Sequence, residues 1–133
     1  MIAKEILCEN DYACVVVKDG ELKHAIKGMG IKPLLNIYLE NLIDLEDSSV
    51  ADKVIGKAAA SIMICSKIKD VYADVITEKA YEMLMENNID IEYGVLVSSI
   101  KNRLNDGPCP LENLVKETEV PIDIVNAIID FFK

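Results

Sequence analysis

The segment from Val50 to Cys65 reads Val-Ala-Asp-Lys-Val-Ile-Gly-Lys-Ala-Ala-Ala-Ser-Ile-Met-Ile-Cys, and it constrains the fold more than any other part of the chain. Asp47-Ser48-Ser49 stands just ahead of it and reads as a helix cap. The alanines and Gly56 are small for a helix this apolar. Small side chains let a helix lie very close to a neighbouring sheet or helix. The segment is therefore expected to form a central, mostly buried helix.

The elements around it set the class. Tyr12 to Val17 is a β-branched run, and Lys18-Asp19-Gly20-Glu21 carries the Asp-Gly pair that favours a hairpin, with Leu22 to Ile26 returning as the second strand. Ile2 to Glu9 has weak helical periodicity. Gly28-Met29-Gly30 breaks the pattern, and Pro33 is placed as the first residue of a helix. The apolar face of that helix runs through Leu34, Leu35, Ile37, Tyr38, Leu39, Leu42, Ile43 and Leu45. Lys69 to Ile76 reads as a third strand. Thr77 caps a helix to about Glu86, Asn87-Asn88 turns, and Ile89 to Val97 is a fourth strand. Lys101 to Pro110 is the most loop-like stretch, Leu111 to Glu117 reads as a short helix, and Glu119 to Lys133 as a final amphipathic one. This order suits an α/β sandwich built on a mixed sheet with helices on both faces.

The chain has 133 residues, of which 51% are hydrophobic, enough for one domain with a core that needs no disulfides. No internal repeat or linker divides residues 1–133. Its net charge of -9 argues against long nucleic acids and anionic membranes as partners. No stretch is long and apolar enough to span a bilayer, and Met1 to Asn10 has no signal-peptide core, so a cytoplasmic location is expected. Cys8, Cys14, Cys65 and Cys109 lie far apart, and His24 is the lone histidine. Zinc sites normally pair their ligands at short spacing, so neither a metal nor another cofactor is expected.

The stretch Ser48-Ser49-Val50-Ala51-Asp52-Lys53-Val54-Ile55-Gly56-Lys57-Ala58-Ala59-Ala60, taken with Lys101-Asn102-Arg103 and Cys109-Pro110-Leu111-Glu112, resembles a small bacterial and archaeal family of unknown function with a cytidine-deaminase-like fold. The likeness covers about Tyr12 to Glu112. It implies a three-layer sandwich core over about 12–112, with a helical extension over about 111–133. In the wider superfamily the first core helix opens with a zinc-binding His or Cys, a small residue and a catalytic Glu, and the second opens with Pro-Cys-x-x-Cys. Set on helix starts at Val50 and Thr77, Val50, Thr77 and Ala80 stand where the metal ligands would be. Asp52 stands where the Glu would be. Val and Ala have no lone pair for a metal, so the resemblance implies a fold without zinc-dependent deamination.

Asp52 is the candidate catalytic carboxylate; its plain alternative is a first-turn acid favoured by the helix dipole. Ser48 and Ser49 serve as caps or as donors to an anion at the same helix end. Lys53 and Lys57, one turn apart, would share a helix face and hold a phosphate or carboxylate, or else form a solvated edge. Gly56-Lys57 is no phosphate loop, since the first glycine is absent and Ala58 replaces the required Ser or Thr. Asn102, Arg103 and Glu112 lie in or beside the long loop, where Arg103 offers a planar fork for an anion. The resemblance makes that loop part of the expected site. Cys109, between two prolines, reads as a structural thiol unless a base stands near it.

Two functions follow. The first is a pocket for a small nucleotide-like, phosphorylated ligand between the starts of the Val50 and Thr77 helices. Asp52 would supply acid–base or nucleophilic chemistry there, and the reaction would be a metal-independent hydrolysis or transfer. The second is a catalytically inactive scaffold that works by homo-oligomerisation, which deaminase-like domains commonly show, through a C-terminal helix bearing Val120, Ile122, Ile124, Val125, Ile128, Ile129, Phe131 and Phe132. Zinc held by Cys65, Cys109 and His24 ranks below both.

Overall fold

The computed structural model describes residues 2–28, 31–98 and 114–133. The β-branched run forms β1 (Cys14–Lys18), and the chain turns back at once into β2 (Glu21–Ile26). Asp19 and Gly20 both have positive φ, 54° and 77°, as a two-residue hairpin turn requires when its twist must match the strands. The hairpin joins a five-stranded sheet of order β2-β1-β3-β4-β5, completed by β3 (Ser49–Ile55), β4 (Asp70–Thr77) and β5 (Asp90–Val97). β1 lies antiparallel to both β2 and β3, whereas β3, β4 and β5 run parallel, so the sheet is mixed.

The largest departure from the sequence reading is β3. Val50 to Ile55 is a strand; the helix that follows, α4 (Lys57–Cys65), starts only after Gly56. Val50, Ala51 and Ile55 are buried because helices cover both faces of this central strand. A parallel strand covered on both faces reads as a nearly continuous apolar run, so its sequence lacks the alternation that marks an exposed sheet. Gly56, with φ -109° and ψ -171°, is still extended and ends the strand.

The other half of the expectation holds. Lys57 through Met63 are all buried, and α4 is the central helix. The helix α6 (Pro121–Phe131) packs on it through Ile124, Val125 and Ile128, while α5 (Glu78–Glu86) lies alongside. A helix enclosed on several sides has no polar face, which is why Ala58, Ala59 and Ala60 occur in succession. Its buried hydroxyls are satisfied within the helix: Ser61 Oγ donates to the Lys57 carbonyl at 2.7 Å and Ser66 Oγ to that of Ile62 at 2.6 Å.

The opposite face is closed by α1 (Ile2–Glu9), whose Ala3 and Leu7 meet Val15, Val17, Ala51 and Tyr72. The helix expected from Pro33 to Leu45 is two pieces, α2 (Lys32–Glu40) and α3 (Leu42–Leu45), broken at Asn41 with φ -137° and ψ 47°. Both join the main core through Leu34, Leu35, Ile37 and Leu45. The Thr77 cap is present, its Oγ1 accepting the Ala80 N–H at 3.1 Å. With helices on both faces of the mixed sheet and a C-terminal helix, the chain has an α/β fold. Of the expected short helix over Leu111–Glu117, residues 111–113 lie outside the described residues, Leu114 is helical and a turn follows through Glu117.

Candidate functional site

Recasting Val50–Ile55 as a strand moves the candidate residues apart. Ser48 and Ser49 sit at the amino end of β3, whereas Thr77 ends β4, which runs parallel to it. A strand of this length spans about 20 Å at ~3.3 Å per residue, so the expected pocket between the Val50 and Thr77 positions would have to straddle the sheet from end to end. Neither serine is at a helix start. Ser48 Oγ is buried and donates to the Leu45 carbonyl at 2.7 Å, and Ser49 pairs with Val17 and Asp70.

Asp52 and Lys53 are also separated, because consecutive strand residues point to opposite faces. Lys53 is exposed and approaches Asp11 at 3.6 Å. It shares no helix face with Lys57, which belongs to α4. Asp52 lies across the antiparallel pair from Cys14, on the side of the main core. Its Oδ1 accepts the Val54 N–H at 3.3 Å. Burial pushes its carboxyl from an ordinary 3.8 up to about 7; hydrogen bonds from Val54, Cys14 and Lys53 pull it down, and the charge of Asp74 pushes it further up. Burial, with the Asp52 charge beside it, likewise drives the Cys14 thiol well above its ordinary value, so Cys14 is no activated nucleophile.

The Val54 N–H taken by Asp52 coincides with a break in the sheet. Pairing of β3 with β4 skips from Asp52/Ala73 to Val54/Val75, and pairing of β4 with β5 skips from Ala73/Tyr93 to Val75/Val95. Gly94 fits this row because a Cβ there would stand 2.8 Å from the Asp74 carbonyl oxygen.

The charged groups that do converge lie elsewhere, where β3 and β4 end and α4 and α5 begin. Lys57, the first residue of α4, is only 6% exposed. Its Nζ donates to the Lys116 carbonyl at 3.2 Å and stands 3.8 Å from Glu119 Oε1. Glu119 Oε2 accepts from Lys79 Nζ at 2.7 Å, Lys79 lying in the first turn of α5. The bond to Glu119 raises the Lys79 ammonium above its ordinary value, and the same bond holds the Glu119 carboxyl below its own. The carboxyl ends of parallel strands are where open α/β sheets bind ligands, beside helix amino termini that favour anions. Two lysines from two helix starts, meeting at one carboxylate, form an arrangement that holds anionic oxygens.

Among the described residues, Lys57 alone of those expected from sequence is in this cluster. Asn102, Arg103, Cys109 and Glu112 lie outside the described residues. Lys79, Lys116 and Glu119 were missed. Gly56 was the signal that could have placed Lys57 at its helix start, since a glycine after an apolar run and before an alanine-rich one marks the strand–helix junction; nothing local in the sequence marks the other three.

Moving the helix starts does not restore a zinc-ligand set. Gly56-Lys57-Ala58-Ala59 and Thr77-Glu78-Lys79-Ala80 contain no His or Cys. His24, on edge strand β2, bonds Asp44 at 2.9 Å, and Cys65 is at the end of α4. Among the described residues no three His, Cys, Asp or Glu side chains gather closely enough to hold a metal ion. No helix among them is long and apolar enough to cross a membrane.

Fold and cluster together define an α/β protein with a mixed five-stranded sheet and an anion-suited group of side chains at the carboxyl edge of its parallel strands. The family described as a domain of unknown function, DUF1893, matches residues 2–132, and the chain belongs to it. The crystal structure of a DUF1893 family protein from Thermotoga maritima is similar over 97% of this chain and 86% of that one, with 27% identity and a TM-score of 0.89. A partial likeness to RibD of Acinetobacter baumannii covers 61% of this chain and 27% of that one, at 17% identity and a TM-score of 0.46. No curated protein matches the sequence.

Proposed function

We propose that this chain is a zinc-free domain of the cytidine-deaminase-like type that binds a phosphorylated nucleoside derivative at the carboxyl edge of β3 and β4. The observation that carries this reading is Lys57: a lysine nine-tenths buried in the first turn of the central helix, within reach of the cluster that Lys79 and Glu119 complete. The nucleoside part of the ligand rests on the likeness of the Val50–Ala60 and Lys101–Glu112 stretches to that family. Asp52 is left out of this reading, since its carboxyl lies beside Cys14 on β3 and makes none of the contacts that join Lys57, Lys79 and Glu119. A metal-independent hydrolysis or transfer is the reaction class these side chains could serve. Isothermal titration of the protein with a panel of nucleoside mono- and diphosphates tests the reading. Binding that Lys57→Met abolishes supports it; a panel that binds nowhere, or binds Lys57→Met unchanged, sinks it.

A second reading, a scaffold acting through self-association, is supported by apolar side chains left at the surface. Tyr93, Val95 and Leu96 on β5 are exposed, as are Ile122 and Phe131 on α6. The rest of the α6 apolar face, Ile124, Val125 and Ile128, is spent on α4. A strictly monomeric mass in solution at working concentration removes this reading.

A further inference from the structure

We infer that Asp52 is a titratable latch on a bend that crosses β3, β4 and β5 at one level, and that the latch tightens when its carboxyl ionises. In a regular ladder Lys53 would pair with Asp74, and Asp74 with Gly94. Neither pair forms, yet the pairs on either side keep the same offset, Asp52/Ala73 with Val54/Val75 and Ala73/Tyr93 with Val75/Val95. No strand therefore carries an extra residue, and the three bend together. The side chains record the same event. Val50 and Ile55 both face the main core, as do Ala73 and Ile76, although residues an odd number apart on a regular strand face opposite ways.

At the bend the Val54 N–H turns to the Asp52 carboxylate, 3.3 Å away. The groups acting on that carboxylate come from both neighbouring strands and from its own. Cys14 faces it from β1, Asp74 brings a like charge from β4, and the N–H groups of Val54 and Lys53 act on it within β3. The Lys53 ammonium lies on the other side of the sheet, 3.6 Å from Asp11. Asp74 is held in turn by Tyr72, whose hydroxyl donates to its Oδ1 at 2.7 Å. A carboxylate accepts an N–H more strongly than a carboxyl does, so ionisation strengthens the Val54 bond. Burial, and then the charge of Asp74, work against ionisation and set the change of charge at about 7. Below that pH Asp52 carries a proton and the bend is slack; above it the bend is fastened. The fold as a whole moves the other way, since the buried charge costs stability. β3 runs on from the bend through Ile55 and Gly56 into α4, and β4 through Ile76 and Thr77 into α5. Proton uptake at Asp52 is in this way felt at both helix starts.

The test follows amide resonances of the full chain from pH 5 to pH 9, in the parent and in Asp52→Asn, which keeps an acceptor oxygen and cannot titrate. In the parent, Val54 and Gly94 are expected to shift together with one midpoint near 7; in the variant both stay flat. Gly94 is the decisive probe because it lies two strands from Asp52, about 10 Å at ~4.8 Å per strand, where a bend is felt more than a charge. Hydrogen exchange is the second readout. Protection of the Val54 N–H, relative to an unstructured chain, should rise about fivefold across the midpoint, the difference between a neutral and a charge-assisted bond, while protection of the core falls. A Val54 resonance that titrates while Gly94 stays flat overturns the latch, since the charge then acts with no bend behind it. A parent in which Val54 is flat overturns it too, as does an Asp52→Asn chain that titrates like the parent.

Discussion

Replacing Asp52 by Asn should remove most of the pH dependence of stability between about pH 4 and pH 7. In the folded chain burial raises this carboxyl from 3.8 to about 7. A group whose folded value lies above its unfolded one favours folding while it is protonated and opposes it once ionised. The penalty is absent below about pH 4, grows as the pH rises, and is complete above about pH 7. At ~1.4 kcal/mol for each pH unit, the rise corresponds to a ceiling of ~4 kcal/mol. Asp52 is partly exposed as a residue, so water moderates the cost and about 2–3 kcal/mol is expected. Asn keeps an oxygen for the Val54 N–H, so the strand's local bond survives the change. Urea unfolding of parent and Asp52→Asn at several pH values from 4 to 8 measures the difference directly. The parent should lose about 2–3 kcal/mol relative to the variant over that range, with the variant the more stable at pH 8. Two parallel curves would refute the claim that this carboxyl is folded at a cost.

Other substitutions probe the packing and the site. Ala60→Leu places a large side chain in a fully buried position on α4 and should cost about 1–3 kcal/mol, read as a lowered Tm. Thr77→Ala deletes the α5 cap and should cost ~1 kcal/mol in urea unfolding, with Thr77→Ser recovering most of it. Gly94→Ala sets a Cβ against the Asp74 carbonyl and should cost about 1–3 kcal/mol, because backbone on both strands must move. Lys57→Met should leave stability unchanged or raise it by ~1 kcal/mol in the same assay, even as it abolishes ligand binding.

The hairpin, the cap at Thr77 and the buried helix over Lys57–Cys65 were legible because each has a local cause: the Asp-Gly turn, a hydroxyl before a helix, a run of small apolar residues. The strand β3 was not legible, because its cause is not local. Val50, Ala51 and Ile55 are buried by helices on both faces, and Asp47-Ser48-Ser49 imitates a helix cap while leading into a strand. That single misreading moved every candidate placed by counting from a helix start at Val50, Asp52 foremost. Lys57 stays on a helix because α4 begins with it, although the face it was expected to share with Lys53 does not exist. Glu119 was out of reach for another reason: it meets Lys57 only through the packing of α6 on α4, a contact between residues far apart in the chain.

Asp52 and Lys57 both oppose stability, and their surroundings differ. Asp52 is costly because most of its carboxyl's surroundings are protein, Cys14 and the Val54 N–H among them, with water moderating the rest. Lys57 is costly twice, once for the burial of its side chain and once for placing a cation at the positive end of a helix, ~0.3–1 kcal/mol for the second alone. Three alanines follow it, and a fourth at its position would have avoided both terms. The Lys116 carbonyl and Glu119 offset part of that cost. Lys57 thus ties the start of α4 to the segment ahead of α6, whereas Asp52 is held within the sheet, and Lys57→Met separates the two roles a buried lysine can have: lost ligand binding at unchanged stability marks a functional one, lost stability a structural one.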